Sequence, residues 1–227
     1  DTPDPPGGAI ERDASGEPTG VLKERAQQLV KRLVPGAQAL EEGILALLHR
    51  CLARGVTSVH DILTSREEVQ AYERLAASGR LPVRVHMLLR VIESKFSKES
   101  LLDLGLVHGL GSEFLKLGGI KMSVDGGFTG RNAAFYEPLE GEPHNCGLIR
   151  IEMGELEETV WRYHEAGMRI CTHAMGDRAT DMVLEAYEKA LRRLPRPDHR
   201  HRVEHLGNWL MTPERLARVR ALQVIPV

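Results

Sequence analysis

Strand-like and helix-like segments alternate six times along this chain, and this alternation restricts the fold more than any other feature. The strand-like segments are short and largely apolar: GVTSVHDI, LPVRVHMLLR, LGGIKMSVD, MRICTHA, HRVEHL and LQVIPV. Between them, apolar residues recur at helical spacing, most clearly over residues 179–190. Strands connected through helices run parallel, so the pattern predicts a parallel sheet covered by helices.

Two architectures fit this pattern, an open doubly wound sheet and a (β/α)8 barrel. No GxGxxG sequence follows an early strand, which disfavours the dinucleotide-binding form of the open sheet. Six strands are two fewer than a closed barrel needs. The chain begins at Asp1 instead of Met and stops within the apolar run LQVIPV, so we expect it to be part of something longer.

Composition excludes several kinds of partner. The net charge is −2 and aromatic residues make up only 4% of the chain, so we expect no nucleic-acid or membrane partner. Three cysteines without a CxxC pattern predict no disulfide framework and favour the cytoplasm. A small-molecule substrate is the partner that remains, and the sequence allows a homo-oligomer.

Two segments interrupt the alternation within what we expect to be one partial barrel domain over residues 1–227. Residues 1–38 are predicted to be irregular, because their first half is rich in turn-forming residues. Residues 126–150 form an unusually long connection. This connection holds Phe128, Phe135 and Tyr136, three of the eight Phe and Tyr residues of the chain. It is therefore predicted to be a packed active-site loop.

Polar residues lie near the ends of the predicted strands, where a barrel carries its chemistry. They are His60, Asp61, Arg90, Lys121, Ser123, Asp125, His173 and His205. Alternation along the third strand places Lys121, Ser123 and Asp125 on one face, pointing into the barrel. A lysine buried there is unfavourable unless its charge is paired or used.

Three interpretations of Lys121 are open from the residues alone. It could form an ion pair with Asp125 or another carboxylate, act as a Schiff-base amine, or bind metal as a carbamate. His173 and His205 are 32 residues apart, about one βα unit, so they would end neighbouring strands. Two strand-end histidines beside an inward lysine favour a metal site. His199 and His201 form an HxH pattern but precede their strand, so we interpret them as surface or structural residues.

Several motifs in order resemble the amidohydrolase superfamily, most closely the branch of N-substituted formamide deformylases and related metal-dependent hydrolases. These motifs are GVTSVHD, GGIKMSVDGGFTGRNAAF, THAMGDRATDMVLEAYE and RHRVEH. The resemblance implies a (β/α)8 barrel of the metal-dependent hydrolase type, of which the chain would supply about strands two to seven. It also implies that Lys121 is the commonly carboxylated lysine, and that His173 and His205 are metal ligands.

The same resemblance implies parts that we expect outside this sequence. They are a first-strand HxH, a small β-sandwich, and an eighth-strand aspartate that would be both ligand and general base. No catalytic residue is therefore assignable here, and we expect this stretch alone to be inactive.

The predicted function of the whole protein is metal-dependent hydrolysis of an amide or other non-peptide C–N bond by metal-activated water. The predicted cofactors are one or two divalent ions, zinc being preferred, and carbon dioxide as the lysine carbamate. Asp125, Arg131 and Tyr136 are predicted to contact substrate. The alternatives are a metal-free Schiff-base lyase that uses Lys121, and a non-catalytic barrel.

Overall fold

The computed structural model describes residues 2–30, 36–92 and 96–227. Its strands are β1 (Gly8–Arg12), β2 (Pro18–Glu24), β3 (Ser58–Leu63), β4 (Arg84–Arg90), β5 (Leu115–Ser123), β6 (Ile170–His173), β7 (Arg202–Glu204) and β8 (Ile225–Pro226). Its α-helices are α1 (Ala37–Leu52), α2 (Arg66–Ala77), α3 (Lys98–Asp103), α4 (Met153–Glu165), α5 (Asp177–Arg193) and α6 (Pro213–Ala221). A short 3-10 helix covers Arg25–Leu29.

The main sheet has six strands in the order β3-β4-β5-β6-β7-β8. The β3–β4, β4–β5 and β7–β8 pairs are parallel, and the first of them runs in register from Ser58 opposite Arg84 to Leu63 opposite Leu89. All six predicted strands occur in the sheet, so the predicted α/β class with a parallel sheet is confirmed.

Two compact units make up the chain. Unit 1 comprises Asp1–Arg32, Ser123–Arg162 and Thr172–Val227. Unit 2 comprises Leu33–Met122 and Tyr163–Cys171. In unit 1, α5 buries seven residues along one face, which explains its clear sequence periodicity. In unit 2, α2 buries three, namely Ala71, Tyr72 and Leu75.

Helix α3 is short and ends at Asp103. Gly105 follows with a φ of 62°, in the left-handed region that commonly terminates a helix. Gly109 and Gly111 also have positive φ values, so turns continue from α3 toward β5.

The prediction that residues 1–38 are irregular is wrong for β1 and β2, which form an antiparallel hairpin. Asp13 builds its turn, since one carboxylate oxygen accepts hydrogen bonds from the backbone N–H groups of Ser15 and Glu17. Gly16 completes the turn with a φ of 87°. Residues 1 and 31–35 of this segment lie outside the described residues.

A bulge in β5 sets the position of Lys121 within unit 2. Met87 of β4 lies opposite Leu117, but Leu88 lies opposite Gly119, so Gly118 is the extra residue. A Cβ on Gly119 would lie 2.7 Å from the carbonyl oxygen of Arg169, which explains the glycine there. Beyond the bulge, Lys121 lies beside Arg90 on the neighbouring strand and is 4% exposed.

His60 and Asp61 were predicted to end a strand, but β3 continues to Leu63. The Asp61 carboxylate accepts a hydrogen bond of 2.6 Å from the hydroxyl of Tyr72 on α2. Asp61 therefore connects the sheet of unit 2 to its covering helix. Burial, and then the contact with Asp61, raise the pKa of Tyr72 well above its ordinary value.

The Tyr72→Phe substitution is expected to lower the free energy of unfolding by about 1–3 kcal/mol, because it removes a buried donor from a carboxylate. Urea unfolding of the intact protein measures this loss. Asp61→Asn is the control, since its amide oxygen can still accept from Tyr72 and its loss should be smaller. An unchanged stability in Tyr72→Phe would contradict the prediction.

Cys51, Cys146 and Cys171 are free thiols. Among the described residues, no helix combines the length and the apolar character that crossing a membrane requires.

Candidate metal centre

Two predicted ligands, His173 and His205, come together in unit 1. His173 is the last residue of β6, and His205 follows the last residue of β7. Their ring centroids are 4.7 Å apart and the rings are nearly perpendicular, at 77°. His205 has a φ of 68°, an uncommon value for a residue other than glycine. The structure therefore places two imidazoles side by side where two neighbouring strands end.

The His173 ring is oriented by a backbone carbonyl. Its Nε2 lies 2.7 Å from the carbonyl oxygen of Gly126 and 3.5 Å from Oδ1 of Asp125. A carbonyl oxygen only accepts, so the hydrogen bond assigns the proton to Nε2 and the lone pair of the neutral ring to Nδ1. Metal-binding histidines characteristically have such a hydrogen bond on the nitrogen that does not bind metal. The surroundings of His173 therefore fit a ligand role.

Asp125 is fully buried two residues after β5. Its Oδ2 accepts hydrogen bonds from the N–H groups of Ala134 and Gly176, at 2.9 and 2.8 Å, and its Oδ1 accepts from Met175 at 3.0 Å. Burial raises the pKa of Asp125 to about 6, although the three N–H groups act in the opposite direction. The Asp125 carboxylate is therefore enclosed by backbone donors from the loop and from the turn before α5.

The loop over residues 126–150 is closely packed despite its lack of regular structure. Asn132 organises its start, because its side-chain oxygen accepts from Gly127 N–H and its backbone oxygen accepts from Leu148 N–H. A Cβ on Gly147 would lie 1.8 Å from the carbonyl oxygen of Ala133. The backbone approaches so closely here that glycine is required.

Tyr136 and Arg131, the other predicted substrate contacts, lie on this loop. The Tyr136 N–H donates to Asp177 at the start of α5, and its side chain is exposed. Partial burial and the nearby Asp181 raise the pKa of Tyr136. Arg131 forms an ion pair with Glu142 of the same loop and has a φ of 51°. Tyr136 therefore lies where the loop meets α5, whereas Arg131 braces the loop itself.

An aromatic stack that includes Trp209 was not predicted from the sequence. Phe128 stacks on Trp209 with centroids 4.6 Å apart and an angle of 24°, and Phe135 lies 6.1 Å from Phe128. Trp209 is 78% exposed and follows His205 by four residues. The sequence signal that could have indicated this stack is the position of Trp209, close in sequence to the predicted ligand His205. The side chain of Asn208 donates to the carbonyl oxygens of Met175 and His205, and so connects the segment after β7 to the turn before α5.

The third predicted ligand, Lys121, belongs to unit 2 and is buried there on β5. Within residues 2–30, 36–92 and 96–227, no group of three or more His, Cys, Asp and Glu side chains is arranged to hold a metal ion. Zinc sites use three or four protein ligands, so the two imidazoles would be part of such a set.

His199 and His201, the HxH pattern interpreted as surface or structural, are both buried. Nδ1 of His199 accepts from the N–H of His201 at 2.9 Å, and its Nε2 lies 2.9 Å from the carbonyl oxygen of Leu222. Both ring nitrogens of His199 are thus used in backbone hydrogen bonds, which agrees with a structural role.

Protonation of His199 would disrupt the hydrogen bond at Nδ1, so we expect the fold to lose stability in mild acid. Burial lowers the pKa of His199 below its ordinary 6.5. As the pH falls below that value, the unfolded chain takes up a proton that the folded chain does not, and stability decreases until the lowered pKa is passed. His199→Gln should therefore show a smaller drop in melting temperature between pH ~7.5 and pH ~5.5 than the wild type.

His144→Gln is the matched control for this prediction, because His144 is exposed. This control should keep the pH dependence of the wild type. Equal pH dependence in wild type and His199→Gln would show that His199 does not contribute.

Comparisons with known proteins identify the family. The amidohydrolase family profile matches residues 1–226. The Bacillus subtilis (strain 168) protein named as the amidohydrolase YtcJ is 33% identical over 225 residues, which cover 96% of this chain and 41% of that protein. N-substituted formamide deformylase of Arthrobacter pascens is 32% identical over 213 residues, which cover 90% of this chain and 39% of that protein. The chain thus spans about two fifths of the length of these relatives.

A solved structure gives the same result. The crystal structure of an uncharacterized metal-dependent hydrolase from Pyrococcus furiosus has a TM-score of 0.75 and 25% identity, and the match covers 92% of this chain and 42% of that one. This likeness confirms the predicted fold class, the metal-dependent-hydrolase type of (β/α)8 barrel. The family predicted from the motifs is confirmed as well, and the chain belongs to the amidohydrolase family.

Proposed function

We propose that the whole protein hydrolyses an amide or other non-peptide C–N bond with metal-activated water. The observation that carries this proposal is the His173–His205 pair, in which the Gly126 carbonyl fixes the His173 ring. The family and the metal-dependent hydrolase from Pyrococcus furiosus support a hydrolase. The name N-substituted formamide deformylase supports the C–N bond as the target.

His173 and His205 would hold a divalent ion, and Lys121 would join them as a carbamate. Imidazole nitrogens suit zinc well, and a lysine carbamate would favour two ions over one. When bound, such an ion supplies the Lewis acidity that polarises a carbonyl and brings the pKa of water to about 7. Lys121 is buried on β5 beside Arg90, and its amine would react with carbon dioxide in the neutral form.

The residues of the chain itself would fix the geometry of this reaction. His173 keeps its proton on Nε2, which donates a hydrogen bond to the Gly126 carbonyl, and so presents the lone pair of Nδ1 to a metal ion. The loop over residues 126–150 supplies Tyr136 and Arg131 as candidate contacts to the substrate. Because this loop is tightly packed, it would exclude water without a large closing movement.

Metal analysis of the intact protein tests the proposal, with Lys121→Ala and His173→Ala as the variants. Both should lose most of the bound metal and of the hydrolytic activity. His144→Ala removes an exposed histidine from the same loop and should retain both. Full metal content and activity in both test variants would refute the proposal. Borohydride trapping of a substrate on Lys121 would instead favour the Schiff-base alternative.

A further inference from the structure

We propose that Asp125 is a positioning residue that sets the orientation of His173, and not a residue that contacts substrate. The sequence pattern predicted a substrate contact because Asp125 ends the strand that carries Lys121. The inference depends on the proposed function only for its effect on metal binding and catalysis. Its structural part concerns the protonated nitrogen of His173 and is independent of any metal.

The burial of Asp125 argues against a direct contact. The residue has no exposed surface, and its carboxylate already accepts three backbone hydrogen bonds. A substrate group would have to displace these donors, and leaving buried N–H groups without an acceptor is unfavourable.

The three donors come from two segments that are distant in sequence. Ala134 belongs to the loop over residues 126–150, whereas Met175 and Gly176 form the turn between β6 and α5. One carboxylate therefore fastens the loop to the turn that directly follows His173. Asp125 also directly precedes Gly126, whose carbonyl oxygen accepts the hydrogen bond from Nε2 of His173. Movement of Asp125 would therefore be transmitted to Nε2 of His173 through Gly126, and to the turn that follows His173.

The two carboxylate oxygens have separable tasks. Oδ2 holds Ala134 and Gly176, so it anchors the loop. Oδ1 accepts from Met175 and lies 3.5 Å from Nε2 of His173, so an acceptor oxygen faces that nitrogen and favours a proton on it. An asparagine can keep an oxygen at the first position and place its NH2 group at the second. Asp125→Asn should therefore disturb His173 and the hydrogen bond from Met175, while keeping the hydrogen bonds from Ala134 and Gly176.

The test is histidine nitrogen NMR of the intact protein, prepared without metal at a pH well above the ordinary histidine pKa. The wild type should show His173 protonated on Nε2, and Asp125→Asn should shift the ring toward protonation on Nδ1. A competition assay with a chelator then measures zinc affinity, which should weaken by about 10–100-fold in Asp125→Asn. Asp177→Asn is the matched control, because Asp177 accepts from Tyr136 N–H beside the same turn. It should leave both the His173 proton and the zinc affinity unchanged.

The outcomes separate this inference from the proposed function. A protein that binds no zinc but shows the shift in the His173 proton supports the inference and refutes the metal-dependent function. A lower melting temperature in Asp125→Asn, with an unchanged His173 proton, would show a merely structural role and overturn the inference. The wild-type spectrum decides even if the variant does not fold, because a proton on Nδ1 of wild-type His173 also overturns it.

Discussion

Replacing Gly176 with alanine is expected to lower both the stability of the protein and its hydrolytic activity. A Cβ there would lie 1.8 Å from the carbonyl oxygen of Ala134, so the loop or the turn before α5 must move. Gly176 has φ −82° and ψ 162°, values that alanine adopts readily, so the effect is steric and not conformational. We expect a loss of stability at or above the upper end of the roughly 1–3 kcal/mol typical of overpacking. Activity should decrease by about 10²-fold if His173 is displaced by about 1 Å.

Gly127→Ala is the matched control for this experiment. It adds the same methyl group to the neighbouring loop over residues 126–150, but no atom lies within 4 Å of the new Cβ. Urea unfolding should place this control within about 0.5 kcal/mol of the wild type, and initial rates should be similar. If Gly176→Ala behaves like Gly127→Ala, the close contact with Ala134 has no functional importance.

The pairing of His173 with His205 could be predicted from the sequence. Each histidine follows a short apolar run, and their separation of 32 residues is about one βα unit. The carboxyl ends of neighbouring parallel strands meet at one edge, so strand period and spacing are enough to bring the two rings together. Residue type and spacing were enough to predict that the two histidines meet, so this part of the candidate site could be read from the sequence.

The surroundings of Asp125 could not be predicted in the same way. Its three donors are backbone N–H groups, which every residue except proline carries, so no residue type marks them. Two of these donors are 50 and 51 residues away along the chain. Only the folded path of the loop shows that the carboxylate is enclosed, and alternation along a strand cannot distinguish an enclosed carboxylate from an accessible one.

The hairpin β1–β2 was missed for a different physical reason. The residues of β2 are mostly exposed, so no apolar alternation marks that strand. Much of the turn depends on the side chain of Asp13, which bonds to Ser15 and Glu17. For Lys121, the sequence prediction used only the alternation of residues along the strand. In the structure its position also depends on the bulge at Gly118, which a regular alternation does not indicate.

The hairpin matters to the candidate site because it contacts both ends of the loop over residues 126–150. Glu24, the last residue of β2, forms an ion pair with Arg150 and accepts a hydrogen bond of 2.8 Å from the side chain of Asn132. Arg25 donates to the carbonyl oxygen of Arg150 at 3.2 Å. The N-terminal segment thus holds the start and the end of the loop together, within the same unit as His173 and His205.

Glu24→Gln is expected to destabilise the protein by about 3 kcal/mol. The side chains of Glu24 and Arg150 are only 15% and 13% exposed, so the change removes the carboxylate from a nearly buried guanidinium. Breaking one partner of a buried pair typically costs about 3–5 kcal/mol, and partial exposure places this pair at the lower end. Urea unfolding measures the loss, and limited proteolysis should show faster cleavage within residues 126–150.

A double-mutant cycle with Arg150→Met separates the ion pair from its surroundings. Because the double variant leaves no unpaired charge from this pair, its loss should be smaller than the sum of the two single losses, by about 0.5–3 kcal/mol. Asn132 can still donate to the amide oxygen of a glutamine at position 24. Loss of this hydrogen bond therefore does not contribute to the stability differences in the cycle. Strictly additive losses would mean that Glu24 and Arg150 are not coupled. The hydrogen bonds of Arg25 and Asn132 would then still connect the N-terminal segment to the loop.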